Sequence, residues 1–254
     1  LPRNRNGALV AREARYWWRD TRRRAGIITL AVVGVFVPVM VSLSGTGMLG
    51  ELEGETAFEP SPVTMGLSMI FVGALAAISL ANQFGYDGTA YAANVVAGVP
   101  GKVELRARSI AYSLYILPLL VAIAVLVALL LGEPSWIGMM VGMLLAAYGT
   151  GLAANLFVSV LAAYDLPETS NPFAINTGAG VAKSALSLLT LAGGAAVTLP
   201  MVIGAVLLDG VWLWLALPIG LVYGVGAAAL GTYLAGDVLD RRMPELLVAV
   251  TPRR

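Results

Sequence analysis

The sequence predicts an all-α, polytopic membrane protein with six transmembrane helices, an N-terminal amphipathic interfacial helix and a short cytoplasmic helix between spans two and three. Two observations come from composition. The chain is 58% hydrophobic and 12% charged, whereas soluble domains carry about 25% charged residues. Six stretches lack any charged residue, and each exceeds the roughly 20 apolar residues that cross a hydrocarbon core. They are Ala25–Gly50, Pro60–Tyr86, Ser109–Gly132, Pro134–Tyr164, Ser184–Leu208 and Gly210–Gly236.

The third observation is the distribution of the 16 Lys and Arg residues. If the N-terminus is cytoplasmic, all of them fall in cytoplasmic segments, and the first, third and fifth connections carry only acidic residues. Lys and Arg in short loops mark the cytoplasmic side, so both termini are expected there. The cationic residues are Arg3, Arg5, Arg12, Arg15, Arg19, Arg22, Arg23, Arg24, Lys102, Arg106, Arg108, Lys183, Arg241, Arg242, Arg253 and Arg254.

The composition also excludes several chemistries. The chain has no Cys and no His, which removes disulfides, thiolate nucleophiles, His-ligated metals and His-based triads. No predicted span contains Asp, Glu, Lys or Arg. This argues against proton-driven antiporters and cation pumps, which use intramembrane ionisable residues. The start at Leu1 and the linker-like Leu1–Gly7 indicate the later part of a longer chain, or a chain whose start lies upstream.

Residues 1–25 are predicted to form a cytoplasmic linker and an amphipathic helix, Ala8–Arg24. An apolar, Trp-bearing face opposite a cationic face favours a helix in the headgroup plane. The alternative is an ordinary positive flank with interfacial Trp anchors. At 100° per residue, one face carries Val10, Ala14, Trp17, Trp18 and Thr21, and the other carries Arg12, Arg15, Arg19 and Arg23.

Residues 26–237 are predicted to form the transmembrane domain, and residues 238–254 a polar cytoplasmic tail. An acidic loop joins the first two spans, and tight external turns at Glu133 and Asp209 join spans three to four and five to six. The predicted spans are Gly26–Leu43, Val63–Gln83, Ser109–Gly132, Trp136–Ala163, Ser184–Leu208 and Val211–Gly236.

Small residues within the spans predict a closely packed bundle. Gly138-x-x-x-Gly142 and Gly220-x-x-x-Gly224 match the pattern that lets helix backbones approach. The same pattern also permits association of two copies. Asn155 and Ser159, four residues apart on span four, either line a pathway or make hydrogen bonds between helices.

The second cytoplasmic connection is the most informative segment. Asp87 is placed to cap a short helix, Thr89–Ala97, within residues 87–98. Gly98 would end the helix. An apolar surface outside the membrane indicates a partner, and the alternative is a helix half-buried at the lipid interface.

Two motif matches near this connection fail. Gly98–Lys102 lacks the first Gly and the Ser or Thr of a Walker loop, since those positions hold Val96 and Val103. Asp87-Gly88 resembles the start of the lipid-alcohol phosphotransferase signature, but the Arg and further aspartates are missing.

Two stretches together resemble the permease subunits of ABC-2 type exporters. Ala11–Arg24 (AREARYWWRDTRRR) resembles the interfacial connecting helix of that family. Asn82–Arg108 (NQFGYDGTAYAANVVAGVPGKVELRAR) resembles its coupling-helix region, and Asn171-Pro172-Phe173 and the six-span architecture also fit. The chain looks most similar to actinobacterial tetronasin and multidrug export permeases, specifically to a second six-span half.

The resemblance implies a non-catalytic chain in a bacterial inner membrane. Its partners would be two cytosolic ABC ATPase subunits, a second six-span unit (the other half of the same chain or a second copy) and the lipid membrane, with no nucleic acid. The chain itself would bind no metal or cofactor, because ATP and Mg²⁺ bind the ATPases. The implied ATPase contacts are Tyr86, Asp87, Gly88, Thr89, Tyr91, Asn94 and Val95, and the implied interfacial residues are Val10, Arg15, Trp17, Trp18 and Arg19.

Three other functional classes stay open at this point. An ATP-independent pore or carrier would need intramembrane charges or a filter motif. A lipid enzyme would need clustered acidic residues or His at an interface, and only Asp237, Asp240 and Glu245 cluster. The third class is a permease-like subunit that regulates a complex.

Overall fold

The computed structural model describes residues 4–45, 61–166 and 179–251, and this part of the chain is helical without any strand. Short 3-10 turns lie at Gly88–Tyr91, Pro134–Trp136 and Asp209–Val211. The α-helices are α1 Arg5–Arg19, α2 Thr21–Gly45, α3 Pro62–Ile78, α4 Ala92–Val96, α5 Gly101–Leu130, α6 Ile137–Leu161, α7 Ala179–Leu208 and α8 Trp212–Val250. Most of the predicted acidic loop and the Asn171–Phe173 segment lie outside the described residues.

Five helices, α2, α5, α6, α7 and α8, are long and apolar enough to cross a membrane. The predicted second span contains a shorter helix than these five. Its helix α3 has 17 residues, or about 26 Å at 1.5 Å per residue, against a hydrocarbon core of about 30 Å. The chain leaves the helix at Ser79 and continues through consecutive turns to Asp87. The described chain therefore holds five long apolar helices and a shorter sixth.

The outer surface of the bundle is apolar. Phe36 of α2, Ile203 of α7 and Val222 of α8 are among many large apolar side chains that are exposed. Soluble monomers rarely expose apolar surface on this scale. The long helices therefore present the surface of a membrane protein to lipid.

Helix α6 lies at the centre and packs against α3, α7 and α8. Its contact with α8 depends on glycine. A Cβ on Gly142 would collide with the Ala216 backbone, and one on Gly149 would collide with the Gly224 backbone. Gly220 in turn lies against the Gly142 backbone. Both small-residue motifs thus pack within one chain, in the closely packed bundle that the sequence predicts.

The N-terminal helix is shorter than predicted. Asp20 has an extended backbone, with φ −76° and ψ 120°, and its Oδ1 accepts from the Arg22 amide at 2.8 Å. A side chain that accepts from the first-turn amides starts a helix. The predicted helix Ala8–Arg24 therefore divides, with α1 ending at Arg19 and α2 beginning at Thr21.

The apolar face of α1 packs against protein. Val10 lies against Ala107 and Ala111 of α5, and the Trp17 ring centroid lies 4.5 Å from that of Tyr112. The Tyr115 hydroxyl donates to the Ala14 carbonyl at 2.9 Å. The expectation that Trp17 and Trp18 share one lipid-facing surface is wrong, because Trp17 is buried while Trp18 is exposed.

Residues 238–250 of the predicted tail form the last part of α8. The helix continues to Val250 because Leu239, Leu246 and Val250 are buried against the bundle. Asp240 Oδ1 accepts from the Gly101 amide at 2.6 Å and so caps α5. We call the region formed by α1, residues 79–100, the first two turns of α5 and the last turns of α8 the charged end.

Candidate functional site

Six charged side chains form a buried group at the charged end, which we call the ion-pair cluster. Three cations balance three anions within it, and the half-buried Asp20 pairs with Arg23 at its edge, with 3.8 Å between Oδ2 and Nε. Burying charge in protein is unfavourable unless the charges are paired and hydrogen-bonded. The members are Arg12, Glu13, Arg23, Asp87, Glu104 and Arg108.

Four segments supply the ion-pair cluster. Arg12 and Glu13 come from α1, and Arg23 comes from the first turn of α2, which the break at Asp20 directs inward. Asp87 comes from the turns after α3. Glu104 and Arg108 lie one turn apart on α5, where residues at i and i+4 meet on one face.

Arg108 occupies the centre of the cluster and is only 2% exposed. Its Nη2 lies 2.7 Å from Glu104 Oε1 and also binds the Asp87 carboxylate. Its Nη1 lies 3.8 Å from Glu13 Oε2. The guanidinium carbon lies 4.5 Å from the centroid of the Phe84 ring. One side chain of α5 thus joins α1 to the turns after α3.

Glu13 is the anion on the α1 side and is 1% exposed. Its Oε1 lies 2.9 Å from Arg12 Nη2, and its Oε2 lies 3.5 Å from Arg23 Nη1. Burial by itself raises the pKa of the Glu13 carboxyl. The guanidinium groups of Arg108, Arg23 and Arg12 outweigh burial and hold this pKa below its usual value. Glu13 is therefore a carboxylate at neutral pH.

Asn94 ties the short helix α4 to both neighbours. Its Oδ1 accepts from Arg12 Nη1 at 2.7 Å, and its Nδ2 donates to Glu104 Oε1 at 2.7 Å. Arg5 Nη2 adds a contact by donating to the Gly98 carbonyl at 2.8 Å. Any displacement of α4 must therefore move α1 and α5 or break these bonds.

Aromatic rings surround Arg23. Its guanidinium carbon lies 4.9 Å from the Tyr86 ring centroid, 5.2 Å from that of Trp17 and 5.8 Å from that of Tyr16. Such contacts contribute about 0.5–2 kcal/mol each, more where water is excluded. Burial raises the pKa of the Tyr86 hydroxyl above its usual value. Arg23 thus anchors α2 to α1 and to the turns before α4.

The ion-pair cluster is only partly satisfied. Arg23 Nε, Arg108 Nη1 and Glu104 Oε2 are buried without a hydrogen-bond partner. Buried polar networks with unmade hydrogen bonds reduce folding stability. Removal of one charge from such a network leaves its partner unpaired. The arrangement holds no nucleophile beside a general base. It links α1, α2, α5 and the turns after α3.

The residues predicted to contact an ATPase divide into two groups. Tyr91 and Asn94 are buried, whereas Tyr86, Gly88 and Val95 are half-buried and Thr89 is exposed. The expectation that Asp87 caps the short helix is wrong, because its side chain makes no capping hydrogen bond. Its carboxylate instead binds Arg108 and Arg23.

The exposed face of this segment carries Thr89, Ala90, Ala93 and Val96. Val96 is 89% exposed at the end of α4, although it is a large apolar residue outside the long apolar helices. The residue predicted to make this contact is the neighbouring Val95, which is half-buried.

Of the predicted interfacial residues, Arg15, Trp18 and Arg19 are exposed, and Val10 and Trp17 are buried. Asn155 and Ser159 are fully buried. Asn155 Oδ1 accepts from the Thr190 hydroxyl of α7 at 2.8 Å, and Ser159 Oγ accepts from Gln83 Nε2 at 2.9 Å. In this structure they make hydrogen bonds between segments, which is the alternative considered for them.

Only Asp87 of the ion-pair cluster was predicted as a site residue, and the other five members, Arg12, Glu13, Arg23, Glu104 and Arg108, were not. The charges of Ala8–Arg24 predict the cationic face of an interfacial helix, and Lys102–Arg108 is predicted to lead the chain into span three. One signal was present, since Glu104 and Arg108 have the i, i+4 spacing of an intrahelical pair. Nothing in the sequence indicates that Glu13 joins them, because more than 90 positions separate Glu13 from Arg108.

No group of three or more metal-ligating side chains is placed to bind a metal ion within residues 4–45, 61–166 and 179–251. Comparison of the chain with protein-family models, with curated proteins and with solved structures finds no significant match.

Proposed function

We propose that this chain is the transmembrane permease component of an ABC-type exporter. It would move a hydrophobic or amphipathic compound out of a bacterial cell, driven by ATP hydrolysis on partner subunits. The observation that carries the proposal is the position of α4. One side presents the exposed Val96, and the other is held by Asn94 to α1 and α5.

The resemblance of Asn82–Arg108 to a coupling-helix region agrees with this position. In the proposal, a cytosolic ATPase receives Thr89, Ala93 and Val96 in a cleft. Tyr91 and Asn94, which are buried, carry the displacement instead of touching the partner. The charged end is cytoplasmic in this arrangement, as the Lys and Arg distribution predicts.

The ion-pair cluster would transmit the movement of the ATPase. Asn94 passes a displacement of α4 to Arg12 and Glu104, and Arg108 passes it to α5 and Glu13. Because α1 packs on α5 through Val10, these two helices would move as one body. A second six-span unit, in the same chain or a second copy, completes the pathway. The chemistry of hydrolysis belongs to the ATPases.

Copurification tests this proposal most directly. The protein would be extracted from its native membrane in mild detergent, and the bound proteins identified. We expect a stoichiometric ATPase with a Walker loop, whose hydrolysis rate rises when substrate is added. Reproducible absence of such a subunit would contradict the proposal and favour an ATP-independent carrier. A bound ATPase that never responds to substrate would favour a regulatory subunit.

The variant Val96→Asp tests the α4 contact. A charge at this exposed apolar position would oppose docking in an apolar cleft, so ATPase copurification is expected to fall at least tenfold. Surface substitutions change folding stability by only about 0.5 kcal/mol, so expression should persist. The matched control is Val248→Asp, at an exposed valine near the end of α8. Equal losses in both variants would refute the assignment of α4.

A further inference from the structure

A groove runs along the outside of the bundle between α5, α6 and α8, which we call the α5–α8 groove. It has a volume of about 470 Å³ and is lined mainly by apolar side chains. Leu114 of α5 and Leu221 and Val225 of α8 border it and are largely exposed. Its size lies within the range of pockets that hold small apolar ligands. It is separate from the ion-pair cluster.

A cation lies at one end of the α5–α8 groove. Arg106 lines the groove, is exposed, and makes no ion pair or hydrogen bond with the residues that the structure describes. Arg108, two residues later, is by contrast buried and paired with Asp87 and Glu104. Arg106 comes just before the uncharged stretch that begins at Ser109, so its guanidinium lies at the edge of the apolar zone. An anionic ligand group would complement it there.

A second polar group points to the same ligand. Ser109 lies one turn beyond Arg106, lines the α5–α8 groove and is 8% exposed. Its hydroxyl has no hydrogen-bond partner, although buried polar groups usually have one. Ser113, the next polar residue along this face, is by contrast paired with the Tyr148 hydroxyl at 2.8 Å. The hydroxyl without a partner is therefore the buried one beside the cation.

The length of the α5–α8 groove matches one leaflet of a bilayer. On α5 it extends from Arg106 to Leu117, which is about 16 Å along the axis at 1.5 Å per residue. One leaflet is about half of the roughly 30 Å hydrocarbon core, or about 15 Å. An acyl chain whose headgroup lies at Arg106 would therefore fill the groove to its far end.

We propose that the α5–α8 groove binds one acyl chain of an anionic membrane phospholipid. The lipid phosphate pairs with the Arg106 guanidinium, and the Ser109 hydroxyl donates to a phosphate or ester oxygen. The chain lies among Leu114, Leu117 and Val225. This site does not depend on the transport function proposed above, because it requires only that the bundle lie in a membrane.

Native mass spectrometry of the purified protein tests the site. The probes are phosphatidylglycerol and phosphatidylcholine with identical acyl chains, added in equal amounts to the detergent-solubilised full chain. One basic residue near an anionic lipid contributes roughly 1 kcal/mol, which corresponds to about a fivefold preference. We expect the first lipid retained by the wild-type protein to be phosphatidylglycerol by about this factor.

Two pairs of variants separate the headgroup and chain contacts. Arg106→Ala is expected to abolish the preference, whereas Arg242→Ala, at an exposed arginine outside the groove, retains it. Ala229→Phe fills the groove and is expected to lower retention of both lipids. Leu230→Phe, at the exposed neighbour outside the groove, leaves retention unchanged. Gel filtration and thermal unfolding confirm that each variant is folded.

Two results would overturn the proposal. The first is equal retention of the two lipids by the wild-type protein, or equal loss of preference in Arg106→Ala and Arg242→Ala. The second is a protein occupant. The chain has no native Cys, so a Leu114→Cys variant reports directly on contact between copies. Efficient disulfide dimerisation of this variant in membranes would show that a second copy covers the groove.

Discussion

Arg108 illustrates how a single side chain can join distant parts of this chain. It pairs with Glu104 on its own helix, with Asp87 after α3 and with Glu13 on α1. Glu13 also pairs with Arg12 and Arg23, and Asp87 also pairs with Arg23, whereas the ion pair of Glu104 is with Arg108. Loss of Arg108 would therefore leave Glu104 as a buried charge without its cation, and such losses cost about 3–5 kcal/mol.

Acid is expected to loosen α1 through Glu13. The folded-state pKa of Glu13 is lowered, so its contribution to stability is fully present above the ordinary glutamate pKa of about 4.3. That contribution is lost as the pH falls through the lowered value. Thermal unfolding of the detergent-solubilised protein, followed by Trp fluorescence from pH 7 to pH 3, measures the effect.

Glu13→Gln and Glu245→Gln serve as a matched pair for this measurement. Glu13→Gln is expected to lower stability at pH 7 by about 3 kcal/mol, because Arg23 and Arg108 lose a buried anion. It should also flatten the acid dependence. Glu245 is exposed on α8, so its variant should behave as wild type. A Glu13→Gln protein as stable as wild type would show that the cluster does not stabilise the fold.

At the scale of helices, the contact between α6 and α8 is the closest in the bundle, and glycines make it possible. Gly142 and Gly149 of α6 meet Ala216 and Gly224 of α8 with their backbones in contact. In a membrane, helix association depends on van der Waals packing and interhelical hydrogen bonds, because lipid is as apolar as the side chains. Small residues therefore provide the main packing contacts between these two helices.

Gly142→Val is expected to separate α6 from α8. The added side chain would occupy the space of the Ala216 carbonyl, and overpacking typically costs about 1–3 kcal/mol. The thermal midpoint should fall, with aggregation in mild detergent. The control is Gly226→Val on α8, because a Cβ there meets nothing within 4 Å. Equal stability of the two variants would show that the close contact is not required.

At the scale of the whole molecule, charge and apolar surface separate along the bundle. The ion-pair cluster, Lys102 with Asp237, and the cap of α5 by Asp240 all lie at one end. The long helices away from that end expose mainly apolar side chains. This polarity is what the Lys and Arg pattern predicts for a chain with both termini on one side.

Cysteine labelling tests the orientation. A membrane-impermeant thiol reagent applied to intact cells is expected to modify Glu55→Cys in the first connection and not Lys102→Cys at the start of α5. The wild-type chain has no Cys and therefore measures the background labelling. After the cells are opened, both variants should react, which controls for accessibility. Labelling of Lys102→Cys alone in intact cells would reverse the topology.

The long apolar helices were predictable because hydropathy is a property of consecutive residues. The predicted fifth span lies within α7, and the predicted third span lies within α5 apart from its last two residues, Leu131 and Gly132. The division at Asp20 was less predictable, since Asp in an arginine-rich segment fits either a helix face or a cap. The end of α3 at Ile78 has no clear sequence signal, because apolar residues continue beyond it.

By itself, the sequence determined that the chain is helical and that it carries several apolar stretches long enough to cross a membrane. These properties depend on local composition and on the order of charged and uncharged stretches. Only the tertiary structure decided that Arg12 reaches Asn94 across 82 positions, that Trp17 faces α5, and that Arg106 stays outside the ion-pair cluster that encloses Arg108. The physical reason is that the partners of a charged side chain depend on which helices pack against each other. That packing involves segments that are far apart in the chain.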